Sequence, residues 1–141
     1  APGEIELHVK RGITGSSAFA EQDGVVNGVP RRLPVVTVNA LCAQHQLPGP
    51  YLLKADVEGA EMAVVKGADQ VLPQCLAVVL EVTFIARLRQ APETSAVLAF
   101  MAARGFVPYD IVDPRVRAQD RALFQADILF VPSDSALRQP G

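Results

Sequence analysis

The chain has 141 residues, half of them apolar, and a mean hydropathy of +0.23. That composition excludes intrinsic disorder, collagen-like repeats and a disulfide scaffold, and leaves one domain able to bury a core. Thirteen Lys+Arg against fifteen Asp+Glu give a net charge of −2, so no global basic surface argues for nucleic acid.

Cys42 and Cys75 stand without metal-ligand spacing and suit a reducing, cytoplasmic setting. No apolar run approaches the roughly 18–20 residues of a membrane span, so neither a membrane nor nucleic acid is expected as a partner. The sequence opens on Ala1 with neither Met nor a signal-peptide pattern, which reads as a cut or processed polypeptide.

Taken in chain order, residues 4–10 alternate strictly, with Ile5, Leu7 and Val9 on one face, and predict a half-buried strand. Residues 11–34 hold Gly12, Gly15, Gly24, Gly28, Ser16, Ser17 and two prolines, and read as a long functional loop. Residues 35–38 read as a short strand, with Asn39 capping a helix to about Gln46 that Pro48, Gly49 and Pro50 stop. Tyr51 to Asp56 is a mostly apolar strand, followed by Gly59 and a helix over Ala60–Lys66, with Gly67 in the left-handed position that ends it.

Leu76 to Val82 is the most apolar strand, of the kind buried on both faces of a parallel sheet. A helix follows from Pro92 to Arg104, with Val97, Leu98 and Met101 as its apolar stripe and Gly105 as its end. Residues 106–112 and 126–131 are two more strands, joined by a basic loop with Arg115, Arg117 and Arg121. They are too close in sequence for another crossover helix, so they pair antiparallel. Alternating strands and helices predict an α/β fold with a mostly parallel sheet and an antiparallel final strand.

Ligands in open α/β sheets bind beyond the carboxyl ends of the strands. Asp56 ends one such strand and Glu81 lies near the end of the next, with Glu58 and Glu61 on the turn and helix between them. Lys54 shares a strand face with Asp56 inside an apolar run, and must pair or reach solvent. Spacing alone leaves two readings open: a structural ion pair with acids favouring a helix N-terminus, or a reactive site. His8 falls on the polar face of its strand and reads as solvated, while His45 reads as favouring a helix C-terminus. No nucleophile elbow accompanies Ser16 and Ser17. The arginines at 115–121 read as solvated surface, with contact to an anionic substrate the lesser alternative. No G-x-G-x-x-G turn occurs, so the cofactor-binding residues of a nucleotide-type cofactor are not legible in this chain.

The run Lys54, Asp56, Glu58, Gly59 and Glu61, continuing to Lys66-Gly67-Ala68, resembles the K-x-D-x-E-G-x-E signature of FkbM-type methyltransferases. Gly3 to Val9 resembles that family's extra strand, and Gly15-Ser16-Ser17 its serine-bearing loop. Val36 to Leu41 resembles its T-L-D-x-L segment, Val78 to Val82 its next sheet strand, Arg104-Gly105-Phe106 its R-G-F turn, and Asp127 to Phe130 its final strand. Asn39 stands where the family commonly has Asp, and Ala55 where it has a larger aliphatic. The resemblance implies an S-adenosylmethionine-dependent enzyme with a Rossmann-like, seven-stranded sheet, methylating a hydroxyl of a small-molecule or sugar acceptor. It further implies that residues 1–141 are a single partial domain, the C-terminal part, with the glycine-rich turn for the cofactor lying upstream. Such a fragment is expected to be inactive alone and to self-associate through an exposed sheet edge.

Methyl transfer from a sulfonium needs an aligned acceptor and often a proton acceptor. On the resemblance, Asp56 orients or deprotonates the acceptor, Glu58 and Glu81 position it, and Lys54 keeps Asp56 ionised. Ser16 and Ser17 are the residues expected at the substrate. Two alternatives remain: a magnesium-dependent hydrolase using Asp56, Glu58 and Glu81, and a non-catalytic half-domain that packs against a partner.

Overall fold

A computed structural model of the chain describes residues 3–12, 15–19, 28–89 and 91–139. The alternation of Ile5, Leu7 and Val9 produces strand β1 (Gly3–Val9), as expected. Its partner is β2 (Val29–Val35), antiparallel from Gly3↔Val35 to Val9↔Val29 in a separate two-stranded sheet. The long loop predicted over residues 11–34 therefore ends early. Pro30 and Pro34 argued against a strand, but each strand of a two-stranded sheet is an edge, where a missing N–H is tolerated. Residues 13–14 and 20–27 of that predicted loop lie outside the described residues.

The strand predicted at residues 35–38 does not form. Val35 closes β2, and Val38 is already the first residue of helix α1 (Val38–Gln44). Thr37 rather than Asn39 is the N-cap, its hydroxyl accepting a hydrogen bond from the Ala40 amide at 3.1 Å. Asn39 instead ties α1 to the end of the next helix: its side chain donates to Asp69 and accepts from the Gln70 amide at 3.2 Å.

The second sheet contains β3 (Tyr51–Ala55), β4 (Cys75–Thr83), β5 (Phe106–Val116) and β6 (Leu123–Pro132) in the order β3-β4-β6-β5. Helix α2 (Glu61–Lys66) connects β3 to β4, and α3 (Thr94–Ala102) connects β4 to β5. Strands β3, β4 and β5 run the same way, as crossover helices require. The last strand inserts between β4 and β5, antiparallel to both. The sheet is thus mixed rather than mostly parallel, with β3–β4 its one parallel ladder. The final pair is antiparallel as predicted, but both strands are longer, so Arg115 belongs to β5 and not to a loop.

Both helices cover one face of this sheet. Val65 of α2 and Val97 and Met101 of α3 pack with Val78, Leu80, Val82, Phe106, Ile128 and Phe130. Full burial of side chains such as Phe130, Leu80 and Met101 contributes about 1.5–3 kcal/mol each. β4 is not buried along its whole length, since Leu76 is exposed. Pro92 lies ahead of α3 and its N-cap Glu93, and Gly105 at φ 78 turns the chain into β5. Gly67 ends α2 at φ −75, not in the left-handed region predicted for it. Among the described residues no helix is long and apolar enough to cross a membrane.

Candidate functional site

The β3–β4 register sets the site. Lys54 pairs with Val79 and Ala55 with Leu80, so Asp56, one step on, lies level with Glu81. Glu81 in turn pairs with Asp127 on β6. One face of the sheet therefore carries Lys54, Asp56, Glu81 and Asp127, across from the face that the helices cover. This juxtaposition of Asp56 and Glu81 on neighbouring parallel strands is the one expected from the sequence.

The turn after β3 is built by the residues of the signature. Glu58 at φ 51 and Gly59 at φ 100 reverse the chain. The Glu61 carboxylate accepts from the amides of Val57 at 3.0 Å and Gly59 at 3.2 Å, fixing that reversal. Gly59 disfavours a side chain: its φ of 100 strains any L residue, and a Cβ there would sit 3.0 Å from both the Ala91 Cβ and the Phe19 ring. Burial pushes the Glu61 carboxyl upward, opposed by its own amide and those of Val57 and Gly59, while the Asp56 charge adds to the rise.

Residues 15–19 lie over this turn. The Ser17 hydroxyl is buried, donates to the Glu58 carbonyl at 2.7 Å and accepts from the Phe19 amide at 3.0 Å. The Ser16 hydroxyl accepts from the Lys10 amide at 3.0 Å. On the other side the Glu58 carboxylate pairs with Arg87. Glu58, Glu61, Glu81, Thr83 and Arg87 line a small, partly open space of about 20 Å³, room for roughly one water molecule.

The cations do not sit where sequence spacing put them. Lys54 hydrogen-bonds Asp127 rather than pairing with Asp56. That bond first raises its pKa, burial opposes the rise, and the charges of Asp127, Asp56 and Glu81 add to it. Lys54 reaches over β4 to a strand two places away, a contact that intrastrand spacing cannot show. Arg115 reaches from β5 over β6, with its guanidinium 3.7 Å from Glu81 and bonded to Asp113 and Gln125. Glu81 is 7 % exposed, and its carboxyl is pushed up to about 7 by burial first. The Asp56, Glu58 and Glu61 charges add to that rise and Arg115 opposes it.

The remaining candidates are scattered. His8, read as solvated, is half-buried: its Nδ1 is buried with no hydrogen-bond partner among the described residues. His45 is the C-cap of α1, at the helix end expected for it. Arg117 pairs locally with Asp120. Among the described residues no three His, Cys, Asp or Glu side chains gather closely enough to hold a metal ion, so Asp56, Glu58 and Glu81 do not form a ligand set. Sequence reasoning missed Asp127, Arg115, Arg87 and the bracing role of Glu61. Asp127 carried a signal, an acid inside the apolar run of β6 that needs a partner when buried.

No curated protein and no solved structure compared with the chain matches it. The model of the Methyltransferase FkbM domain matches residues 5–108, from β1 to the start of β5, and so takes in the whole turn from Asp56 to Glu61 and Glu81 beside it. The chain belongs to the FkbM methyltransferase family.

Proposed function

We propose that this chain supplies the acceptor side of an S-adenosylmethionine-dependent O-methyltransferase acting on a hydroxyl of a small molecule or sugar. The observation that carries the reading is Asp56. Glu58 is tied to Arg87 and Ser17, and Glu61 to the turn amides. Asp56 is exposed at the carboxyl edge of the sheet, and no hydrogen bond engages its carboxyl among the described residues. A carboxyl left free at a strand end, beside a turn braced by several contacts, is arranged to meet an acceptor hydroxyl.

The described residues do not by themselves fit the methyl donor. No strand among them leads into a glycine-rich turn, and about 20 Å³ beside Glu58 is far below the few hundred Å³ of a ligand pocket. The larger cleft of about 280 Å³, lined by Ile5, Leu7, Val35, Val57, Ala60 and Val64 among others, is mostly apolar, and neither Asp56 nor Glu81 lines it. The reading therefore assigns the donor to a further segment beside β3, whose outer edge has no partner among the described residues.

The test is to incubate the whole polypeptide carrying this sequence with methyl-labelled S-adenosylmethionine and a panel of free sugars and hydroxylated small molecules. Label in base-stable ether linkage is the expected result. Label only in base-labile esters, or none transferred, overturns the reading.

A further inference from the structure

The acids at this sheet edge differ in what holds them. Arg87 holds Glu58, the amides of Val57 and Gly59 hold Glu61, and Lys54 holds Asp127. Asp56 is exposed to water. Glu81 alone among these is mostly buried while no hydrogen bond from the described residues reaches its carboxyl, whose oxygens keep a small contact with solvent, and Arg115 stands off at 3.7 Å. A largely desolvated carboxylate without a protein donor is costly. Such a group beside an open strand end is a candidate for proton transfer.

We propose that Glu81 takes the acceptor hydroxyl's proton, and that Arg115, from outside the matched family segment, is the positioning residue that favours its carboxylate form. The proposal rests on the methyltransferase reading above. Asp56 and Glu81 lie side by side across the β3–β4 ladder, where neighbouring strands run roughly 4.8 Å apart. A hydroxyl held at Asp56 is thus within reach of Glu81. In the step, the acceptor O–H bond breaks and an O–H bond forms on a Glu81 carboxylate oxygen. The electron pair stays on the acceptor oxygen, which becomes the nucleophile, and the proton later leaves to water.

The groups facing Glu81 are Lys54 and Asp56 from β3 and its end, Glu58 and Glu61 from the turn and α2, Asp127 from β6 and Arg115 from β5. Burial and the Asp56, Glu58 and Glu61 charges favour the protonated carboxyl, and Arg115 favours the carboxylate. The balance falls at about 7, so both forms are present near neutral pH, where a general base is most effective.

The test is carbon NMR of the protein with carboxyl-labelled glutamate, titrated from about pH 4 to about pH 9. One signal, absent in Glu81→Gln, should titrate near neutral pH, at lower pH in Asp56→Asn and at higher pH in Arg115→Gln. Methyl transfer to the sugar panel should rise through the same midpoint and fall on the order of 10²–10⁴-fold in Glu81→Gln. If Glu81→Gln does not fold, the rate profile of Arg115→Gln decides, since that side chain is half exposed. Its rise should move to higher pH, and an unmoved profile overturns the proposal. A Glu81 signal titrating in the ordinary carboxylate range overturns it, as does undiminished transfer by Glu81→Gln. A wild-type enzyme that transfers no methyl group overturns the methyltransferase reading itself.

Discussion

Replacing Glu81 by Gln should stabilise the protein at alkaline pH and not at acid pH. The folded protein lifts this carboxyl from 4.5 to about 7. Between those values the native state binds more protons than the unfolded chain, so stability falls as pH rises through that window and levels off above it. At about 1.4 kcal/mol for each pH unit, ionising Glu81 in place costs about 3 kcal/mol. Gln keeps the shape and removes the charge, and the value of about 7 already includes the attraction of Arg115. The expected gain is therefore about 3 kcal/mol near pH 8, shrinking to nothing near pH 4. Urea unfolding of both proteins at several pH values measures it. Equal loss of stability by both proteins across the window would refute the reasoning.

Other perturbations address the turn and the sheet edge. Glu61→Ala leaves the Val57 and Gly59 amides without their acceptor and should cost about 2–4 kcal/mol in urea unfolding. Glu61→Gln keeps an acceptor oxygen and should cost much less, so equal losses would mean that charge and not the hydrogen bonds matters. Gly59→Ala forces an unfavourable backbone at φ 100 and a contact with Phe19 and Ala91, for a loss of about 2 kcal/mol or more; an unchanged midpoint contradicts this. Residues 1–141 alone should not bind S-adenosylmethionine and should self-associate through β3, where Leu52 is exposed. Calorimetry and sedimentation check both, and Leu52→Lys should reduce the association.

The part of the fold that carries the site was legible because periodicity and punctuation agreed there. Tyr51 to Asp56, the turn at Gly59 and the apolar run after Cys75 each announce one element, and parallel pairing by a crossover helix follows. Reading failed where an element depends on a distant partner. β2 contains two prolines and an Arg-Arg pair, and only the presence of β1 makes it a strand. Val35 to Val38 has strong strand propensity, yet the Thr37 hydroxyl starts a helix inside it. The charges behave likewise. Lys54 and Asp56 are adjacent on a strand face, but Asp127, brought in by the final strand, claims the lysine. Arg115 looked like loop surface because the length of β5 is set by pairing with β6 and not by its own residues.

The central claim is that the free carboxyl of Asp56, beside Glu81 at the end of the β3–β4 ladder, is where the acceptor is held. The most direct measurement is transfer of a labelled methyl group by the whole polypeptide carrying Asp56→Asn, with circular dichroism to verify its fold. The account predicts a loss of roughly tenfold or more with the fold intact. Undiminished turnover in a folded variant would contradict it, and would leave Asp56 as one more residue of the turn.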